Sequence, residues 1–79
     1  MKNFNGHRSW NAWNVSLWIC NDESLYRLAL ECIEEAKING KIKMYLAVNR
    51  FLSYIDNKTP DGAIYNKLSV KLALQGLIE

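Results

Sequence analysis

The chain has 79 residues, room for one domain, and 49% of them are hydrophobic, enough for a real though thin core. Ten Lys and Arg against eight Asp and Glu leave a formal charge of +2, far from the basic footprint of a dedicated nucleic-acid binder. The two cysteines, Cys20 and Cys32, belong to no C-x-x-C pair or Cys/His cluster of zinc spacing, so both read as buried free thiols.

Met1 to Arg8 is polar, contains Gly6, and reads as a short flexible lead-in that only Phe4 could anchor. It lacks the apolar run of a signal peptide, and no apolar segment approaches the roughly 20 residues of a membrane span. An intracellular protein away from membranes is expected. The domain proper is expected over residues 9–79.

Ser9 to Asp22, S-W-N-A-W-N-V-S-L-W-I-C-N-D, holds all three tryptophans. Large aromatics bury roughly 150–250 Å² each, which places these indoles near the centre of so small a domain. At helical spacing Trp10, Trp13 and Leu17 share a face with Asn14 beside them, while Val15, Trp18 and Ile19 project to other sides. A helix so apolar all round is buried in a core or pressed against a partner. A strand would instead set Trp13, Val15, Leu17 and Ile19 against Asn14, Ser16, Trp18 and Cys20. The helix is preferred because no second convincing strand is available to pair with it.

Asn21 and Asp22 offer a capping oxygen to the next helix, with Glu23 favourably placed at its positive end. The spacing predicts a second helix over 24–38, with Leu25, Leu28, Ala29, Cys32 and Ala36 facing the core and Tyr26, Leu30 and Ile33 flanking them. Arg27, Glu31, Glu34 and Glu35 form its wet sector, and Asn39-Gly40 reads as its left-handed C-terminal cap. A third helix over 41–55 would bury Met44, Ala47, Val48, Phe51, Leu52 and Ile55. Ile42 and Leu46 lie off that stripe, either covering the tryptophan helix or forming a contact patch, and Lys43, Arg50 and Tyr54 make another line. Asp56 to Gly62 is a loop, with Pro60 and Gly62 where a type I turn from Thr59 favours them. Ala63 to Tyr65 should tuck back extended, and a last helix over 67–78 buries Leu68, Val70, Leu72, Ala73, Leu74 and Leu77, weakened by Gly76. The expected fold is all-α: a compact four-helix domain with the Trp-rich helix wrapped by the other three.

Chemistry is sparse. His7 is the only histidine and stands alone in the lead-in, so no catalytic triad or two-histidine metal site can be assembled within the chain. Glu31, Glu34 and Glu35 read as a solvated helix face, and the four glycines are scattered with no phosphate-cradling loop. No enzyme activity and no cofactor is expected. Lys37, Lys41, Lys43, Arg50, Lys58, Lys67 and Lys71 concentrate in the second half, which keeps nucleic-acid binding as an alternative. Tryptophan and tyrosine are favoured interface anchors. The candidate protein-binding residues are therefore Trp18, Tyr26, Tyr45 and Tyr54, with Ile42, Lys43, Leu46 and Arg50 around them.

Ser9 to Tyr26, above all its string W-x-x-W-N-V-x-L-W-I-x-N-D, and Thr59 to Gly62, T-P-D-G, before a C-terminal helix, resemble a family of small uncharacterised proteins of tailed phages and prophages. The resemblance covers most of the chain. It implies a phage accessory protein at work in the bacterial cytoplasm, similar in size and style to anti-CRISPR proteins. The expected partner is a host protein or ribonucleoprotein complex, such as a CRISPR effector, blocked by steric occupation. A homodimer through spare apolar surface on the second or third helix is a further expectation, and a dimeric nucleic-acid-binding regulator is the alternative.

Overall fold

The computed structural model describes residues 9–78, so the expected flexible lead-in over residues 1–8 lies outside the described residues. The chain forms α1 (Trp10–Asn21), α2 (Glu23–Glu35), a two-stranded hairpin of β1 (Lys37–Ile38) and β2 (Lys41–Ile42), α3 (Met44–Leu52) and α4 (Lys67–Ile78). The mostly helical architecture expected from periodicity is what the chain adopts. The helices form a ring in which each packs on its chain neighbours and α4 closes back onto α1. Across the ring, α2 and α4 meet more than α1 and α3 do.

Local signals set the helix starts. The Ser9 hydroxyl accepts the Ala12 N–H at 3.1 Å, and Asp22 Oδ1 accepts the Leu25 N–H at 3.0 Å, each satisfying a backbone donor that a helix leaves unpaired. Asn66 Oδ1 does the same for the Ser69 N–H at 2.8 Å, opening α4. A single residue, Asp22, therefore ends α1 and caps α2.

Helix two stops earlier than its periodicity predicts. Asn39 and Gly40 have φ of 54° and 80°, and instead of capping a helix they form the two-residue turn of an antiparallel hairpin, pairing Lys37 with Ile42 and Ile38 with Lys41. Positive φ at both central residues is what a type I′ turn requires, and its twist matches that of the strands. The Lys43 N–H extends the pairing by donating to the Ala36 carbonyl at 3.0 Å. Helix three accordingly begins at Met44 rather than Lys41 and ends at Leu52 rather than Ile55.

The core corrects a second expectation. Its largest fully buried side chain is Phe51, not an indole. Around it lie Val15 and Ile19 of α1, Cys32 and Ile33 of α2, Val48 of α3, and Val70 and Leu74 of α4. Phe51 meets the buried Tyr65 ring edge-on, centroids 6.4 Å apart, a favoured aromatic geometry. All three tryptophans stay partly in solvent: Trp13 and Trp18 are half-buried and Trp10 is exposed. The reason is the ring arrangement, since α1 packs on two neighbours through Ala12, Val15 and Ile19 and keeps Trp10, Trp13 and Leu17 on its outer side. Both cysteines are free, but only Cys32 is buried; Cys20, one residue past the inward-facing Ile19, is exposed.

Two glycine substitutions should act with opposite sign. Gly40→Ala forces a β-carbon into φ near 80° and should cost about 1 kcal/mol, whereas Gly76→Ala inside α4, where nothing lies within 4 Å of the added carbon, should gain about 0.5–1 kcal/mol. Urea unfolding of both variants measures the difference.

Candidate functional site

Helix α1 carries no charged residue, yet it has three chemically distinct faces. One is the core face and one the outer face of Trp10, Trp13 and Leu17. The third is a row of Asn11, Asn14 and Trp18, spaced at three and four residues, that grips the loop between α3 and α4. Asn14 is only 2% exposed. Its Nδ2 donates to Asp61 Oδ2 at 2.9 Å, and its Oδ1 accepts from the Thr59 hydroxyl at 2.6 Å. The Trp18 indole N–H donates to the same Asp61 oxygen at 2.9 Å. One turn earlier Asn11 pairs with the Ile64 backbone in both directions, at 2.8 and 2.7 Å, and donates to the Ser69 hydroxyl at 2.8 Å.

The loop meets this row already shaped. The Gly62 N–H donates to the Thr59 carbonyl at 2.9 Å, closing the Thr59-Pro60-Asp61-Gly62 turn read from sequence. The Thr59 N–H donates to the Ala63 carbonyl at 2.8 Å while the Thr59 hydroxyl accepts the Ala63 N–H at 3.0 Å. An isolated bridge joins Lys58 and Ile64, and Ala63 and Tyr65 are buried with Ile64 turned outward. Ala63 to Tyr65 thus does tuck back as expected. The hydrogen bonds from Asn14, then from Trp18, stabilise the charged carboxylate and hold Asp61 below its ordinary value of 3.8.

Pinning this loop leaves a groove of about 510 Å³ between it, the α1–α2 junction and the chain leaving α3. Trp18, Tyr54, Pro60 and Tyr65 supply its apolar walls, and Asp22, Asp56 and Lys58 its charges. Burial, then Asp22 and Asp56, raise the Tyr65 phenol above its ordinary value. Burial likewise pushes the Cys32 thiol up, with Glu35 adding to it, so this thiol stays protonated and unreactive at neutral pH.

Of the eight residues singled out from sequence, the fold brings Trp18 and Tyr54 together on this groove. The others are dispersed. Ile42, in β2, and Leu46, on α3, pack half-buried against the core, and α3 packs mainly on α2 and α4 rather than on the tryptophan helix. Arg50 faces α2, where its Nε lies 3.3 Å from Glu35 Oε1. Tyr45, 66% exposed, is five residues before Arg50 and so about 140° around the helix from it. Lys43 sits exposed at the start of α3 and Tyr26 is exposed on α2. Asn11, Asn14, Thr59, Asp56, Asp61 and Tyr65 were not singled out. The signal available for them was two amide side chains, Asn11 and Asn14, set among the tryptophans of α1, which need partners from elsewhere in the chain where they are buried.

Among the described residues no group of three or more His, Cys, Asp or Glu is placed to hold a metal ion. Glu34 bonds Lys37 at 3.0 Å and Glu35 pairs with Arg50, consistent with a solvated face. No helix among the described residues is long and apolar enough to cross a membrane. A family of unknown function, DUF7249, matches residues 1–79. The chain belongs to DUF7249. No curated protein and no solved structure matches it. The two stretches that carried the phage-family resemblance, the tryptophan string and T-P-D-G, are the two sides of the Asn14–Thr59–Asp61 contact in this DUF7249 chain.

Asn14→Ala would leave the Thr59 hydroxyl without its acceptor and Asp61 without one of its two donors, and should cost about 1–3 kcal/mol in chemical denaturation. The pH dependence has a definite sign. Because folding lowers the Asp61 pKa, the unfolded chain takes up the proton first as pH falls. The contribution is complete above the ordinary value and is lost as pH drops through the lower folded one. Asp61→Asn, which keeps an acceptor oxygen, should flatten that part of the stability curve in melts recorded at successive acidic pH values.

Proposed function

We propose that the chain is a non-catalytic protein-binding module, a phage or prophage accessory protein that occupies a surface needed by a host complex and blocks it. A defence effector of the CRISPR kind is the target class this reading favours, in the bacterial cytoplasm. The supporting observation is the groove, which both Trp18 and Tyr54 line and where Tyr54 is 64% exposed. Tyrosine and tryptophan give large contact area at little entropic cost, and a few such anchors carry most of the energy of an interface. The phage habitat rests on the resemblance of the tryptophan string.

A second reading, a nucleic-acid-binding regulator acting as a dimer, rests on the hairpin, which exposes Lys37 and Lys41 with Lys43 just beyond it. Two features weigh against it: Lys37 is engaged by Glu34 and Arg50 by Glu35, so acids are interleaved with the bases. The two readings differ in salt dependence. A groove-docked protein should survive a rise from about 50 to about 200 mM salt, where phosphate-dominated binding falls by orders of magnitude.

Affinity capture from the bacterial host tests this. Tyr54→Ala should cut recovery of a discrete partner by about tenfold or more, a loss of roughly 1.4 kcal/mol or above. Tyr45→Ala, equally exposed but away from the groove, should leave recovery unchanged. Equal loss in both variants, or recovery of nucleic acid alone, would sink the proposal.

A further inference from the structure

We propose that the groove receives a basic side chain, the guanidinium of an arginine or the ammonium of a lysine, presented by the partner protein; this rests on the protein-binding reading above. Three features converge on that ligand. The first is wall chemistry. Trp18, Tyr54 and Tyr65 line one groove, and aromatic faces attract cations through their quadrupoles, most strongly where water is partly excluded.

The second is charge. Asp22 and Asp56 line the groove with Lys58 as its single cation, so the groove carries one net negative charge on a chain whose total is +2. Neither carboxylate forms an ion pair among the described residues. Asp22 spends Oδ1 on the Leu25 N–H, which offsets the positive end of α2 that also borders the groove and leaves Oδ2 free to accept.

The third is a phenol. Tyr65 is only 8% exposed, yet it lines the groove. No described group hydrogen-bonds its hydroxyl, and no sealed side-chain polar atom goes unpaired among the described residues, so the hydroxyl meets solvent there. Burial, then Asp22 and Asp56, raise its pKa, in keeping with the two carboxylates that line the same groove. A guanidinium fits this set better than an ammonium, because its plane stacks on aromatic rings while its fork of N–H groups serves carboxylates and hydroxyl together.

Amide and indole NMR of the full chain, titrated with a capped tri-arginine peptide, tests the assignment. Tri-citrulline is the neutral isostere and tri-glutamate the opposite charge. Tri-arginine should move the Trp18 indole N–H and the Asp56 and Lys58 amides with a Kd of about millimolar order, tri-citrulline should bind about tenfold more weakly or worse, and tri-glutamate should not bind. The double variant Asp22→Asn with Asp56→Asn removes the charge but keeps a capping oxygen at residue 22. It should stay folded, melting slightly below the parent because residue 22 no longer offsets the positive end of α2, and bind tri-arginine at least about threefold more weakly. Equal binding of tri-citrulline, shifts on another face, no shifts up to about 10 mM, or full affinity in the double variant would overturn the inference. Should tri-arginine fail while Tyr54→Ala still abolishes partner capture, the cation assignment falls and the docking groove stands. Should tri-arginine bind while Tyr54→Ala leaves capture intact, the groove's chemistry stands and the blocking mechanism falls.

Discussion

The arrangement of this molecule depends on one buried amide. Asn14 is the polar side chain that α1 sends into the interior, and a buried amide without partners costs several times what a paired one contributes. Its two ends are answered by Thr59 and Asp61, residues 45 and 47 positions away in the chain. The connection between α3 and α4 anchors Ala63 and Tyr65 in the core, but its stretch from Asp56 to Gly62 has only Pro60 as an apolar side chain with which to hold a shape. It is ordered because its turn closes on itself and then on α1. The order runs from there to the start of α4, since Asn11 holds Ile64 and Ser69 and Asn66 caps the helix that follows.

That pinning is what makes a binding surface of the groove. Tyr65 enters the core edge-on to Phe51 and also lines the groove. Trp18 spends its indole N–H on Asp61, which fixes the ring at the groove wall. Side chains held this way lose little conformational freedom on binding, so more of their contact energy appears as affinity. Structure and recognition therefore use the same residues, and a substitution that loosens the loop weakens both.

Much of the fold could be read from residue pattern, and the misses have physical causes. Asp22 was legible as a cap because its role is local, and Pro60 and Gly62 as turn residues for the same reason, whereas the Ser9 cap on α1 went unread. Asn39-Gly40 was legible as a left-handed pair but not as a hairpin, because a helix C-terminus and a type I′ turn ask for the same backbone. What decided between them was pairing of Lys37-Ile38 with Lys41-Ile42, strands too short for alternation to show. The Asn14 contact was illegible for a different reason: nothing in local spacing states which distant residue answers a buried amide. Trp18 and Tyr54 were legible as anchors by type, whereas Asp56 and Tyr65 become part of a site only once the loop is folded back.

The placement of the tryptophans follows from how closely the helices approach. Ala12, Ala29, Ala36, Ala47, Ala63 and Ala73 are all buried, and small residues at helix contacts bring the backbones together and leave little space for an indole between them. Phe51 is the largest side chain that is fully buried among them. A ring of helices built on alanine must keep large aromatics on its flanks, half in solvent, where each still removes some apolar area from water. Stability alone does not require the flanks to be tryptophan and tyrosine, since leucine would bury comparable area against the same alanines without an N–H or O–H to satisfy. Rings at Trp18, Tyr54 and Tyr65 share a groove with Asp22 and Asp56, neither of them ion-paired among the described residues, and the proposed cationic ligand would use both.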